Sequence, residues 1–175
     1  MKKLVSSIFT IIGFTTQYQG GPRQEKVLKF KDEGDDLLVM FPRLDPHTIE
    51  DIGGVALACE LKKTKSSKKA VMQATTFSDV VEKEFPDFLV FPIVISGRER
   101  YVDRTARDYA FTSSVTHISL QFLSRILDMQ YERFRKGERL ITPIEILLIL
   151  SELFTQQEVE PFISDLLKMV DEKLK

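Results

Sequence analysis

The chain has no tryptophan, one cysteine and two histidines in 175 residues. The single Cys59 excludes an internal disulfide and any zinc site built from several cysteines. Two histidines, His47 and His117, are too few for a histidine-rich metal centre. Long apolar runs are missing too, and none approaches the roughly 20 residues that a membrane-spanning helix needs. No internal repeat and no low-complexity segment interrupts the chain.

What is present suits one soluble, cytoplasmic domain with an ordinary core, at 43% hydrophobic and 29% charged residues. Thirteen phenylalanines point to a Phe-rich interior. The net charge of -1 conceals local imbalance. Acids are plentiful, so an oxygen-ligand site for Mg²⁺ remains open.

Met1-Lys2-Lys3 before an apolar stretch has the outline of a signal peptide. Ser6, Ser7 and Thr10 interrupt that stretch, and no small-x-small site follows. Leu4, Ile8, Ile11 and Ile12 fall at helical spacing, which favours a packed amphipathic helix from about Lys3 to Gln17. An extended segment is expected near Glu25 to Phe30, then an acidic turn. Leu37 to Phe41 reads as a strand, Pro42 to Gly54 as a loop, and Val55 to Leu61 as a second strand. Ser67 is placed to cap a helix with Val71, Ala74, Phe77, Val81 and Phe85 on its buried face. Phe88 to Ile95 is a third strand, whose Pro92 marks a bulge or an edge position.

A short strand is expected at Val115 to Ile118, and a helix from Leu120 to Arg135. The apolar stripe of that helix is Leu120, Leu123, Ile126, Leu127 and Phe134. Thr142-Pro143-Ile144-Glu145 is a capping box that opens the next helix. Glu160-Pro161 opens a last one. The order predicts one α/β domain over 1–175, with its core over about 25–118 and helices over about 119–175.

Chemistry concentrates at Glu60-Leu61-Lys62. Alternation along a strand puts Glu60 and Lys62 on one side and Leu57, Cys59 and Leu61 on the other. If the strand after Asp36 pairs antiparallel with this one, Asp36 falls beside Glu60 and Lys62. Asp51 and Asp45, in the preceding loop, are rivals for that place. Two carboxylates and the Leu61 backbone carbonyl would suit Mg²⁺, with Mn²⁺ as its substitute. A lysine beside them can position a water or steady a charged phosphorane.

Lys62, Lys63, Lys65, Lys68 and Lys69 suit a DNA backbone, as do Arg98, Arg100, Arg104 and Arg107. The plain reading of both runs is a solvated loop. Cys59 reads as core, and His47 and His117 as ordinary polar residues. Ser66-Ser67 and Ser113-Ser114 lack the partners a nucleophile needs.

Asp36 before one apolar strand and Glu60-Leu61-Lys62 ending the next resemble the PD-(D/E)xK nuclease superfamily. The run from about Asp35 to Ile95 is similar to the core of type IIS restriction endonuclease cleavage domains. The resemblance implies a restriction-endonuclease-like mixed β-sheet flanked by helices. It also implies Mg²⁺-dependent DNA cleavage, with Asp36 and Glu60 as metal ligands, Lys62 beside the attacking water, and Gln73 at the same end of the sheet. Three features depart from the pattern. Asp35 replaces the proline, the 42–54 connection is long, and the first helix has no acid, Glu25 being the nearest.

The expected activity is that of a cleavage domain or subunit which relies on another domain or chain for sequence recognition. One site cuts one strand, so a double-strand break would need a homodimer or a partner nuclease. The helices Leu120 to Arg135 and Thr142 to Phe154 offer apolar faces for such contact. The alternatives are a structure-specific repair nuclease or junction resolvase, and a non-catalytic module of the same fold that binds DNA or protein.

Overall fold

The computed structural model describes residues 1–19, 36–42, 53–63, 67–97 and 104–155. In chain order the elements are α1 (Lys2–Ile12), β1 (Thr15–Gln19), β2 (Asp36–Pro42), β3 (Gly54–Lys62), α2 (Lys68–Glu84), β4 (Phe88–Ser96), α3 (Arg104–Thr112), β5 (Thr116–Ser119), α4 (Leu120–Lys136) and α5 (Pro143–Thr155).

The five strands form one sheet in the order β1-β2-β3-β4-β5. β1, β2 and β3 are antiparallel neighbours. β4 and β5 continue the sheet parallel to β3. Parallel neighbours need crossover connections, which α2 and α3 supply. This mixed sheet with flanking helices is the expected α/β architecture.

Strand alternation splits the core into two layers. Leu37, Val39, Leu57, Cys59, Leu61, Ile93, Ile95 and Ile118 face α1, α4 and α5. Leu38, Ala56 and Ala58 face Phe77 and Val81 of α2. Val94 packs with Ala70, Val71 and Ala74 of α2 and Ala110 of α3. Small residues on the second face let α2 lie close to β3, and this closeness brings α2 to the end of that strand. Ser67 caps α2, its hydroxyl accepting from the Ala70 N–H at 3.4 Å.

Among the described residues, Pro92 lies where β4 has β3 as its only strand partner, because β5 first pairs at Ile93. The missing N–H therefore costs no ladder bond on the open side. Exposure follows the same boundary: Phe88 to Pro92 are half-buried or exposed, and Ile93 to Ser96 are buried.

Two expectations are corrected. The first helix ends at Ile12, not Gln17, and Thr15–Gln19 is a strand. Gly13, at φ 107°, closes the helix in the left-handed conformation, and its N–H bonds the Thr10 carbonyl. Phe134 is not part of the buried stripe of α4 but is 72% exposed. The buried side chains are Phe122, Leu123, Ile126 and Gln130. The extended segment near residues 25–30, the acidic turn before Asp36 and the helix expected from Glu160 lie outside the described residues.

Candidate active site

β3 carries its two charged side chains at its last turn of the pleat. Glu60 is fully buried, while Lys62 keeps 29% of its side chain exposed. The two form an ion pair along the α2 face of the strand. The Lys62 ammonium also donates to Gln73 Oε1, 2.9 Å away on α2. Glu60 Oε2 accepts no hydrogen bond among the described residues. A carboxylate in that state is costly to bury, since one ion-pair partner does not replace a full hydration shell.

The register places Asp36 directly opposite Glu60. Its hydrogen-bonding class follows from the neighbouring ladder. The Lys62 carbonyl accepts from the Gly97 N–H at 2.8 Å, so the even-numbered residues of β3 spend their backbone groups on β4. Asp36 and Glu60 are therefore a non-hydrogen-bonded antiparallel pair, the class in which Cα atoms approach to about 4.5 Å. By the same alternation the Leu61 carbonyl turns toward the β2 side. The Asp36 and Glu60 positions thus lie side by side at the end of the sheet where the Leu61 carbonyl turns toward β2.

Gly97 holds the ends of β3 and β4 together. A Cβ at this position would overlap the Lys63 carbonyl. The glycine thus lets the chain after β4 pass close against the backbone that carries Lys62.

Three residues that sequence reading left aside join the same face. Glu60 pairs with Val94, which pairs with His117. Lys62 pairs with Ser96, which pairs with Ser119. His117 is 1% exposed, and Ser96 and Ser119 are buried. Ser119 caps α4, accepting from the Phe122 N–H at 3.1 Å. The local signal for this row was Ser96 at the end of β4 and His117 and Ser119 at alternate positions of β5; the register that aligns them is long-range.

Lys63, Lys68 and Lys69 are exposed. The Lys68 ammonium lies 4.8 Å from the centre of the Tyr109 ring on α3. Cys59 is buried, and its thiol contacts the Leu57 carbonyl at 3.6 Å. Asp45, His47, Asp51, Lys65, Arg98 and Arg100 lie outside the described residues. Among the described residues no three His, Cys, Asp or Glu side chains form a metal-sized cluster.

No family model matches the chain, and no curated protein does. One solved structure with similarity is that of EndoMS in its apo form, at a TM-score of 0.39 and 15% identity. The match covers 65% of this chain and 42% of the EndoMS chain, so this chain spans less than half the length of that protein. The likeness is loose, and the chemistry has to be read from this chain's own residues. Among the described residues, no helix is long and apolar enough to cross a membrane.

Proposed function

We propose that this chain is a metal-dependent endodeoxyribonuclease domain of the PD-(D/E)xK type. One observation carries the reading: Glu60, fully buried and directly opposite Asp36, is ion-paired to a lysine that Gln73 holds from α2. A fold that needed only stability would gain by replacing such a carboxylate with an apolar residue. Its retention fits a ligand that supplies the missing coordination.

Asp36, Glu60 and the Leu61 carbonyl would hold Mg²⁺, with Mn²⁺ able to replace it. When bound, the cation polarises the scissile phosphate and lowers the pKa of a coordinated water. Lys62 sits beside that place, where its ammonium orients the attacking water and offsets charge that builds on the phosphorane. Gln73 is a positioning residue that limits the swing of the Lys62 side chain. Lys63, Lys68 and Lys69 would contact backbone phosphates, and Lys65, Arg98 and Arg100 are assigned the same task. Phosphate contacts carry no base information, so sequence recognition falls to another domain or chain, as in a restriction-type cleavage subunit.

Calorimetric titration with Mn²⁺ on the wild type and Glu60→Ala tests the metal site. Plasmid nicking in Mg²⁺ by Lys62→Ala, Asp36→Ala and Asp51→Ala tests the chemistry. Wild type should bind Mn²⁺ and Glu60→Ala should not. Absence of Mn²⁺ binding by wild type would sink the nuclease reading. Normal nicking by Asp36→Ala together with loss in Asp51→Ala would move the first acid to Asp51.

A further inference from the structure

We infer that the groove between α5 and β4 is a docking site for the chain's own last segment, residues 161–175. α5 is the first observation. From Ile144 to Leu150 its sole polar residue is Glu145, which is itself buried. A helix that is apolar all round belongs inside a protein. One side of α5 is buried on the core through Ile146, Ile149 and Leu150. Elsewhere on the helix Leu147 and Leu148 are half-buried, and Ile144 is 42% exposed. The groove is the second observation. Leu57, Phe91 and Ile93 form its sheet wall, Leu147, Leu150 and Ser151 its helix wall, and the space between them is about 160 Å³. Phe91 is 44% exposed, and Leu89, on the same face of β4, is 47% exposed.

Connectivity selects the occupant. The groove borders the later half of α5, and residues 156–175, which follow that helix, lie outside the described residues. In their sequence Phe162, Ile163, Leu166, Leu167, Val170 and Leu174 recur at helical spacing, with Asp165, Lys168 and Glu172 on the opposite side. Gln156 to Glu160 is a connection of a length common between antiparallel helices, and Pro161 suits a first helical position. As a helix, 161–175 would span about 22 Å, enough to return along the whole of α5. A segment tethered this closely acts at about millimolar effective concentration, so any partner in trans has to compete with it. Docked there, it also withdraws this side of α5 from contact between copies.

Thiol labelling of the full chain tests this independently of any nuclease activity, since Cys59 is the sole native cysteine and is buried. Phe91→Cys puts a probe on the groove wall, and Phe134→Cys, on α4, is the open reference. The exposures of the two positions, 44% and 72%, differ by less than a factor of two. Docking should instead slow labelling of Phe91→Cys by about tenfold or more relative to Phe134→Cys. Adding Leu166→Asp with Val170→Asp should bring Phe91→Cys up to the Phe134→Cys rate. Cys59 should stay unreactive throughout, which separates uncovering from unfolding. Leu147→Cys, on the helix wall, serves if Phe91→Cys misfolds, and Leu166→Asp alone serves if the pair of charges unfolds the chain. Equal rates for Phe91→Cys and Phe134→Cys before any charge is added would overturn the inference. So would protection that survives the charges, or that falls on dilution and therefore comes from a second copy.

Discussion

The Lys62 ammonium donates a 2.9 Å hydrogen bond to Gln73 Oε1, tying the last residue of β3 to the second turn of α2. The bond joins two elements that α2's close packing on Ala56 and Ala58 has already brought together. If Gln73 positions Lys62, removing it should disturb orientation and leave binding intact. Gln73→Ala is expected to lower kcat for nicking by roughly ten- to a hundredfold, the usual range for groups that orient a reacting residue. KM and Mn²⁺ affinity should hold. Gln73→Glu, which keeps an acceptor oxygen, should recover part of the rate. Parallel loss of melting temperature and kcat in Gln73→Ala would point to a merely structural role.

Glu60 sets function against stability. Its carboxylate is fully buried with Oε2 lacking a hydrogen bond among the described residues. Unpaired buried polar groups typically cost about 1–3 kcal/mol. Glu60→Gln is therefore expected to be more stable than wild type in EDTA, by about 1 kcal/mol. Adding Mn²⁺ should raise the melting temperature of wild type and leave Glu60→Gln unmoved. Thermal melts with and without metal check both halves. A variant less stable than wild type in EDTA would mean that the Lys62 ion pair outweighs the burial cost.

Gly97 offers a test that leaves every polar group in place. A Cβ there would overlap the Lys63 carbonyl, and the Gly97 N–H bonds the Lys62 carbonyl at 2.8 Å. Gly97→Ala must therefore push Lys62 and Lys63 aside. Displacements near 1 Å at a reacting centre can cost roughly a hundredfold in rate. The expectation is a loss of that order in nicking with Mn²⁺ binding weakened less, because Glu60 lies two residues further from the clash. Full activity in Gly97→Ala would show that the β3 end relaxes without consequence.

How much of this was legible beforehand depended on whether the signal was local. β3 and α2 announced themselves through Gly53-Gly54, a short apolar run, and a Ser67 cap before a periodic face. The capping box at Thr142 was equally plain. β1 was not, because Thr15-Thr16-Gln17-Tyr18-Gln19 is short and polar and continues a good helical pattern. Gly13 was the available stop signal. Phe134 was misplaced because two apolar stripes run along α4. Only packing decides that Phe122, Ile126 and Gln130 go inside. Gln130 is drawn in by the 139–142 segment, donating to the Ile141 carbonyl at 2.8 Å and accepting from its N–H at 2.7 Å. The alignment of Asp36 with Glu60 could be posed from sequence as a condition on strand pairing. The row through Val94 to His117 could not, since it needs two crossover registers at once.

The start of α5 predicts an acid-labile contribution to stability. Burial alone would raise the Glu145 pKa, but bonds from the Thr142 N–H and hydroxyl and from Arg139 outweigh it and hold the carboxyl below its ordinary value. Those bonds measure 2.7 Å to the Thr142 N–H, 2.8 Å to its hydroxyl and 2.7 Å to Arg139. Because the folded value is depressed, the unfolded chain takes up the proton first as pH falls. The stabilisation is complete above the unfolded carboxylate pKa of about 4.3 and disappears as pH drops through the folded value. Glu145→Gln should cost about 1 kcal/mol at neutral pH and show a shallower loss of stability under acid. Denaturant titrations at pH 7 and under acid conditions read the difference. Equal acid sensitivity in both proteins would assign the effect to other carboxylates.

Lys63, Lys68 and Lys69 are exposed at the end of the molecule where α2 begins. An exposed lysine is solvated by default, so its place in a DNA path follows from salt dependence. Each phosphate neutralised contributes about 0.9 to the slope of log K against log salt for duplex DNA. Anisotropy titrations with labelled duplex in EDTA, which withholds the metal the proposed reaction needs, should therefore lose about that much slope for each of Lys63→Ala, Lys68→Ala and Lys69→Ala. Tyr109 sharpens the test, since its ring lies 4.8 Å below the Lys68 ammonium and steadies it. Cation–π contacts at exposed sites are worth about 0.5–1 kcal/mol. Tyr109→Leu should therefore weaken binding only a few-fold and leave the salt slope near wild type, because the charge remains while its orientation is lost. If the slope does not change in any lysine variant, these residues are ordinary solvated surface, and DNA would have to approach Lys62 from the side of β2.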